Sequence, residues 1–423
     1  MKENRVEQMH RLLAGLLACS VAFACACSKN EETEKSKKDR KATQSEEKEE
    51  PETETTAKPT FTPTPSPSPS PSPSPTPTPV PGTFDEASAQ SYMDGITFDG
   101  VVLVAENDQI SWTYESGLAD RDNNVPNTMD TVFEFGSITK QFTAVAIMQL
   151  VEQGKISVED TLDKYIPDYP YADKITIHQL LNMTSGVPDY LFCGVLGFSW
   201  SDFENLDFST IMNLESLLGE VATTPLKKEE LVEKISKYPL NFDPGTQYEY
   251  SNTNYYFLGI IIEQLSGMAY DEYIRKNILE PLDLTELFPD NDHLTSNGRT
   301  DLKLIHFDFP HQDVTLSYSV GVMTGTAEGL LEWEKCVLDR KLLSSESWDK
   351  IFDGGQFGYG YGWTIVGDGV VEHSGMTLGY NTNVRINLKD RKVIIVLSNI
   401  QPLSGSKSRP LSSEIGDKLW GMF

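Results

Sequence analysis

Several features that mark other protein classes are scarce in this 423-residue chain. Positive charge is one: 35 Lys and Arg stand against 63 Asp and Glu, for a net charge of −28. Residues 83–423 alone carry 24 against 51, so the imbalance belongs to that body. A surface this acidic repels phosphate backbones and excludes nucleic-acid binding through a basic face. Cysteine is another: of five, only Cys193 and Cys336 lie in the body, too few for a disulfide framework. The six histidines are scattered, with no His-Glu-x-x-His or paired Cys-x-x-Cys spacing, so neither a metal nor a cofactor is expected. No internal repeat is visible, and no apolar run reaches the roughly 20 residues that span a bilayer.

What is present divides the chain into three. Lys2, Arg5 and Arg11 precede an apolar run of 16 residues, Leu12 to Cys27, which is the pattern of an export signal. A small residue before a cysteine at its end resembles the lipobox of bacterial lipoproteins. Cys27 is the expected lipidation site, because Ser28-Lys29-Asn30 ends the apolar run directly after it. Cys19 has the better upstream leucine but would leave VAFACAC on the mature chain, and a plain signal peptide or uncleaved anchor is the alternative. Residues 28–82 read as a tether: a mixed-charge stretch, then KPTFTPTPSPSPSPSPSPTPTPVPG. Of 24 prolines, 12 fall between Pro51 and Pro81. Alternating Pro with Ser or Thr favours extended polyproline II, a stiff stalk. Residues 83–423 are then one folded body, expected to be displayed extracytoplasmically on a lipid anchor and to be a monomer.

Within that body, Gly100-VVLVAEN and Ile110-SWTYESG read as two strands around a polar turn. Val132-FEFGS is a short strand, and Ser137 to Gln153 a helix. Helices are predicted over Ile175–Met183, Leu226–Tyr238, Asn254–Leu265, Ala269–Leu279 and Thr326–Leu338. Strands return at Tyr361-GWTIV, Val370-VEHS, Asn383-VRINL and Lys392-VIIVLSN, before a last helix, Leu411–Trp420. Strands at both ends imply an α/β (α+β) fold. One antiparallel sheet from N- and C-terminal strands is flanked by helices, with a mostly helical region inserted.

Three short constellations carry chemistry. In Ser137-Ile-Thr-Lys140 the serine opens a helix and the lysine follows one turn later on the same face. A serine hydroxyl needs a base, and lysine serves only if burial or neighbouring charge favours its neutral form. The motif alone is weak: Ser45/Lys48, Ser347/Lys350 and Ser404/Lys407 share the spacing. Only Ser137 follows a strand-and-glycine run and starts a long apolar helix; alone it reads as a helix cap. Tyr250-Ser251-Asn252 leads into another apolar helix. A tyrosine beside a lysine ammonium can act as general base, and Asn252 can hold the lysine and the substrate. His373-Ser374-Gly375 lies on a late strand, where glycine lets a substrate approach the edge and the histidine can bond it or tune proton transfer. Taken singly, these last two read as an aromatic with a helix cap and a surface strand histidine.

Together and in this order, the three match the S-x-x-K, second polar triplet and K-T-G elements of penicillin-recognising enzymes, with Tyr-Ser-Asn in second place. The sequence resembles the serine β-lactamase-related family, the branch containing class C β-lactamases, D-alanyl-D-alanine carboxypeptidases and family VIII esterases. Ile175-TIHQLLNMTSGVPDY, Phe242-DPGTQYEYSNTNYYFLGIIIEQLSG, Gly358-YGYGW and the Val396–Asn399 VLSN extend the resemblance over about residues 90–420. Pro281-LDLT fits with Asp283 where glycine is usual, and Gly321-VMTGTAEGL with departures at Val322, Gly325 and Gly329.

The resemblance implies a β-lactamase/transpeptidase-like fold and an acyl-enzyme on Ser137. Lys140 and Tyr250 would form the proton relay and Asn252 a substrate contact. His373 and Gly375 would stand in the K-T-G position, with Met376 and Ser137 N–H groups as the oxyanion hole. Histidine instead of lysine at 373 weakens any anchor for a substrate carboxylate. Peptidase or esterase action on a small molecule or peptide, such as a peptidoglycan stem peptide, therefore ranks above β-lactam hydrolysis. A β-lactamase proper and a slow-turnover penicillin-binding sensor are the alternatives. A scaffold that kept only the fold is opposed by the intact Ser137, Lys140 and Tyr250.

Overall fold

The run GVVLVAE is buried at every position from Gly100 to Glu106, the mark of a strand covered on both faces. In the computed structural model, which describes residues 83–191, 220, 222–302, 305–308, 311–402 and 410–423, it lies inside a six-stranded sheet. The expected leader with Cys27, the stalk, Cys193 and most of the segment after Tyr190 fall outside the described residues.

Helix α1 (Glu86–Asp94) comes first and is capped by Asp85, whose side chain accepts from Ser88 N. Strands β1 (Gly100–Glu106) and β2 (Gln109–Ser116) form a hairpin. Its turn residues Asn107 and Asp108 have φ of 50° and 68°, the left-handed pair a two-residue hairpin favours. After β3 (Phe133–Glu134) come α2 (Thr139–Glu152), α3 (Asn252–Ser266), α4 (Val314–Gly321), β4 (Thr324–Gly325) and α5 (Ala327–Leu338). The chain then returns to the sheet with β5 (Thr364–Gly367), β6 (Val370–Thr377), β7 (Tyr380–Asn387) and β8 (Lys392–Ser398), and ends in α6 (Ser412–Trp420).

The sheet order is β5-β6-β7-β8-β1-β2. Its pairs are antiparallel, and β1 meets β8 from Gly100↔Ser398 to Glu106↔Lys392. The two chain ends thus close one sheet, as the strand pattern implied. Alternation along the strands sends Val101, Leu103, Ile395 and Leu397 into the large core. Val102, Val104, Ile394 and Val396 go to a smaller core with Met93 of α1 and Leu419 of α6. Helices α1 and α4 were not anticipated from the sequence, whereas α6 runs where it was expected, with Leu411 as its N-cap.

Helix α2 departs from its expected apolar stripe. Thr139 through Met148 are buried without a gap, so it is a central helix walled on all sides. Its polar residues must then find partners indoors. Thr139 Oγ1 accepts from Met323 N at 3.0 Å, and Thr143 Oγ1 donates to the Ser319 carbonyl at 2.7 Å. Gln141 Oε1 accepts from Trp333 Nε1 at 2.8 Å. The remaining buried polar residue of that first turn is Lys140.

Candidate active site

Ser137 sits just ahead of the α-helix. Gly136, with φ of 56°, turns the chain out of β3 into a 3-10 turn over Gly136–Ile138, and α2 begins at Thr139. The serine is half-buried, whereas Lys140, one turn on, has no exposed surface. Lys140 Nζ lies 2.9 Å from Ser137 Oγ, 2.9 Å from Asn252 Oδ1 and 3.0 Å from the Val320 carbonyl.

These three partners suit a neutral amine. Such an amine has two N–H bonds and one lone pair, and two of the partners can only accept. The orientation of Asn252 follows from its other atom: Nδ2 donates to Asp189 Oδ2 at 2.9 Å, so Oδ1 faces the lysine. The lone pair is left for the Ser137 hydroxyl. Burial drives the amine from its usual 10.5 down to about 7, against the pull of the Asp189 carboxylate.

Asp189 escaped the sequence reading of the site. Its oxygens accept from Asn252 N at 2.7 Å, from Asn252 Nδ2 and from Leu191 N at 2.9 Å. Burial raises its carboxyl, and those N–H bonds and Lys140 pull it back. The signal was a single charge in the apolar run Val187-Pro-Asp-Tyr-Leu. It ties the start of α3 to the lysine, 49 positions away from it in the chain, a distance no local pattern encodes.

Tyr250 places its ring centroid 4.9 Å from Lys140 Nζ. Its hydroxyl is buried and faces Ser137 without a hydrogen bond of full geometry. Burial pushes the phenol well above its usual value, the contact with Ser137 opposing. A resting phenolate is therefore disfavoured, and the lysine amine is the base available in the free protein.

His373 lies on β6 and is buried rather than on the surface. Nδ1 donates to the Ser374 carbonyl at 2.7 Å, which leaves Nε2 to accept from the Tyr359 hydroxyl at 2.9 Å. Burial first and the Lys140 charge second depress it from 6.5 to about 3, so the ring is neutral. Tyr359, within Gly-Tyr-Gly-Tyr-Gly-Trp, was also missed; it packs edge-on to Tyr250 at 6.2 Å and beside Tyr248 at 5.9 Å.

Gly375 and Gly136 let β6 pass directly behind the serine. A β-carbon on Gly375 would stand 1.8 Å from the Phe135 carbonyl, and one on Gly136 would stand 2.7 Å from Met376 N. Thr382 Oγ1 donates to the same Phe135 carbonyl at 2.8 Å and locks that approach. Seven of the sequence-predicted residues, Ser137, Lys140, Tyr250, Asn252, His373, Gly375 and Met376, thus gather at one site. The eighth, Cys27, lies outside the described residues. Among the described residues no group of three or more His, Cys, Asp or Glu could hold a metal ion.

A hydroxyl facing a neutral amine beside a backbone N–H strand can transfer an acyl group, and with this fold it defines a serine hydrolase. The chain belongs to the β-lactamase family, whose model, described as Beta-lactamase, matches residues 86–412. It is 28% identical over 328 residues to Penicillin-binding protein 4* of Bacillus subtilis (strain 168), covering 71% of this chain and 68% of that one. It is 27% identical over 322 residues to the putative penicillin-binding protein PbpX of the same organism, covering 74% and 73%. A penicillin binding protein from Bacillus halodurans shares the fold with a TM-score of 0.64 at 23% identity, over 79% of this chain and 100% of that one. So does a D-amino acid amidase from Ochrobactrum anthropi SV3, with a TM-score of 0.64 at 18% identity, over 79% and 96%.

Proposed function

We propose that the chain is an exported, lipid-anchored serine hydrolase that cleaves amide or ester bonds in D-amino-acid peptides of cell-wall type, with Ser137 as the acylated nucleophile. The observation that carries this is the buried Lys140 amine, held by Asn252 Oδ1 and the Val320 carbonyl within 2.9 Å of the Ser137 hydroxyl. As Ser137 Oγ attacks the carbonyl, Lys140 takes its proton. The Ser137 and Met376 N–H groups receive the oxyanion. Tyr250, protonated at rest, gives its proton to the departing nitrogen or oxygen and takes up the one Lys140 received. Water then attacks the acyl-serine with the same groups in reverse, releasing the acid and restoring the serine. Asn252 holds Lys140 with one atom and has a second amide hydrogen for the substrate.

The neutral His373, with both nitrogens engaged inside the protein, supports a substrate that needs no cation at that strand. The names of the relatives, penicillin-binding proteins, support a site that β-lactams also bind. Cys27 would carry the lipid, residues 28–82 the stalk, and a monomeric body of 83–423 the activity.

A fluorophosphonate probe should label the wild type and lose labelling in Ser137→Ala; persistent labelling in the mutant overturns the nucleophile. Side by side, a D-Ala-D-Ala peptide and a short acyl ester should turn over faster than a chromogenic cephalosporin. A cephalosporin preference of tenfold or more would make this a β-lactamase instead. Replacing Cys27 with serine, together with Cys19 and Cys25, should release the protein from membranes.

A further inference from the structure

Helix α4 does not run straight. At Tyr318 the backbone turns to φ 31° and ψ −134°, a conformation that bulky L residues rarely adopt, and the helix breaks there. The residues directly after the break are the ones that reach the active site. The Ser319 carbonyl accepts from Thr143 Oγ1, Ser319 Oγ donates to the Tyr255 carbonyl at 2.8 Å, and the Val320 carbonyl accepts from Lys140 Nζ. In an unbroken helix carbonyls point along the axis toward the next turn. The break turns that of Val320 to the lysine instead.

Strain of this kind persists only where its surroundings hold it. The Tyr318 ring is 8% exposed and lies between Tyr256, at 4.8 Å, and Tyr270, at 5.3 Å. Lys228 Nζ stands 4.6 Å over the ring and is itself paired with Glu263 of α3. The Tyr270 hydroxyl meets Thr143 Oγ1 at 2.7 Å, so the ring's neighbour is joined to α2 as well. Opposite the break stands Gly259, where a β-carbon would come within 2.1 Å of Ser319 Oγ.

We infer that Tyr318 is a positioning residue: its clamped ring holds a strained backbone that delivers the Val320 carbonyl to Lys140. The inference rests on the Ser137–Lys140 reading above. With that carbonyl in place, one N–H of the neutral amine is engaged and the lone pair stays directed at Ser137. Without it the amine can rotate, and the nucleophile loses its aligned base.

The test compares Tyr318→Ala with Tyr318→Phe on the chain that labels with the fluorophosphonate probe. Tyr318→Ala keeps the strain-causing β-carbon and removes the clamp, so the backbone relaxes. We expect kcat to fall at least tenfold with KM within twofold, and Tyr318→Phe to restore kcat to within threefold. The acid limb of kcat/KM should also move to lower pH in Tyr318→Ala. The carbonyl favours the ammonium over the amine, and its loss lowers the lysine's affinity for a proton. Asp189, His373, Tyr250 and Tyr255 also face that amine and are left unchanged by these variants. If Tyr318→Ala does not fold, Tyr318→Leu, which refills most of the space, should show the same kcat loss and limb shift. A folded Ala or Leu variant with wild-type kcat and an unmoved limb overturns the inference. So does a kcat loss matched by an equal KM change with the limb unmoved. A wild type whose labelling does not depend on Ser137 would instead sink the functional reading on which it rests.

Discussion

Lys140 and His373 stand on opposite walls of one cleft, and both are buried groups pushed toward neutrality. Their surroundings differ. The helical wall, built from α2, α3 and the broken α4, surrounds Lys140 with two acceptors and leaves its lone pair for Ser137. The strand wall ties both nitrogens of His373 to Tyr359 and Ser374 and leaves nothing over. Burial alone therefore does not make a reactive group. The helical wall holds a proton acceptor, and the strand wall holds geometry: an edge, two glycines and the Met376 N–H.

The largest effect expected from breaking this contrast is at Lys140. Lys140→Met should lower kcat/KM by roughly 10³-fold or more, the upper range for losing an acid–base group. The same change should raise the melting temperature by a few degrees at pH 7. A folded value near 7 lies below the 10.5 of the free side chain, so the unfolded chain holds the extra proton between those limits. The wild type thus regains stability as pH rises from 7 to 10.5, and the mutant's advantage should shrink over that window. A calorimetric pH series reads this directly; a mutant that melts lower throughout would contradict a neutral buried lysine. For the wild type, kcat/KM should fall below about pH 7 as Lys140 takes a proton and loses its lone pair.

A smaller effect is expected at Asp189. Asp189→Asn removes the charge that favours the ammonium and leaves one oxygen where two accept from Asn252 and Leu191. The acid limb should move to lower pH while kcat falls about tenfold to a hundredfold, within the range of a mispositioned base. A limb that moves upward would show that the carboxylate does not act on the lysine. The smallest effect is expected on the strand wall. Tyr359→Phe removes one hydrogen bond from a neutral ring, at a cost near 1 kcal/mol of stability. It should change kcat by no more than about threefold, as an indirect brace does. A hundredfold loss would mean that His373 takes part in proton transfer after all.

Much of this was legible in the residues. The apolar run Gly100-VVLVA announced a strand, and the Asn107-Asp108 turn announced its hairpin. Ser137, Lys140 and Tyr250 were recognisable because each motif opens an apolar helix, and His373 because Gly375 follows it on a late strand. Asp189 and Tyr359 were not, because each acts on a residue of another segment. The break at Tyr318 was invisible too, since nothing in Leu-Ser-Tyr-Ser-Val differs from an ordinary helix.

The sequence by itself settled the local matters: strand alternation, the one-turn spacing of serine and lysine, and the glycines at the strand edge. These depend on backbone periods of two and 3.6 residues, which any reader of the chain can count. Only the tertiary structure decided the protonation states. A lysine becomes neutral when other segments bury it and supply its acceptors, and here these come from residues 252 and 320, more than 100 positions away along the chain. Desolvation is a property of what surrounds a group, and the surroundings exist only once the chain has folded.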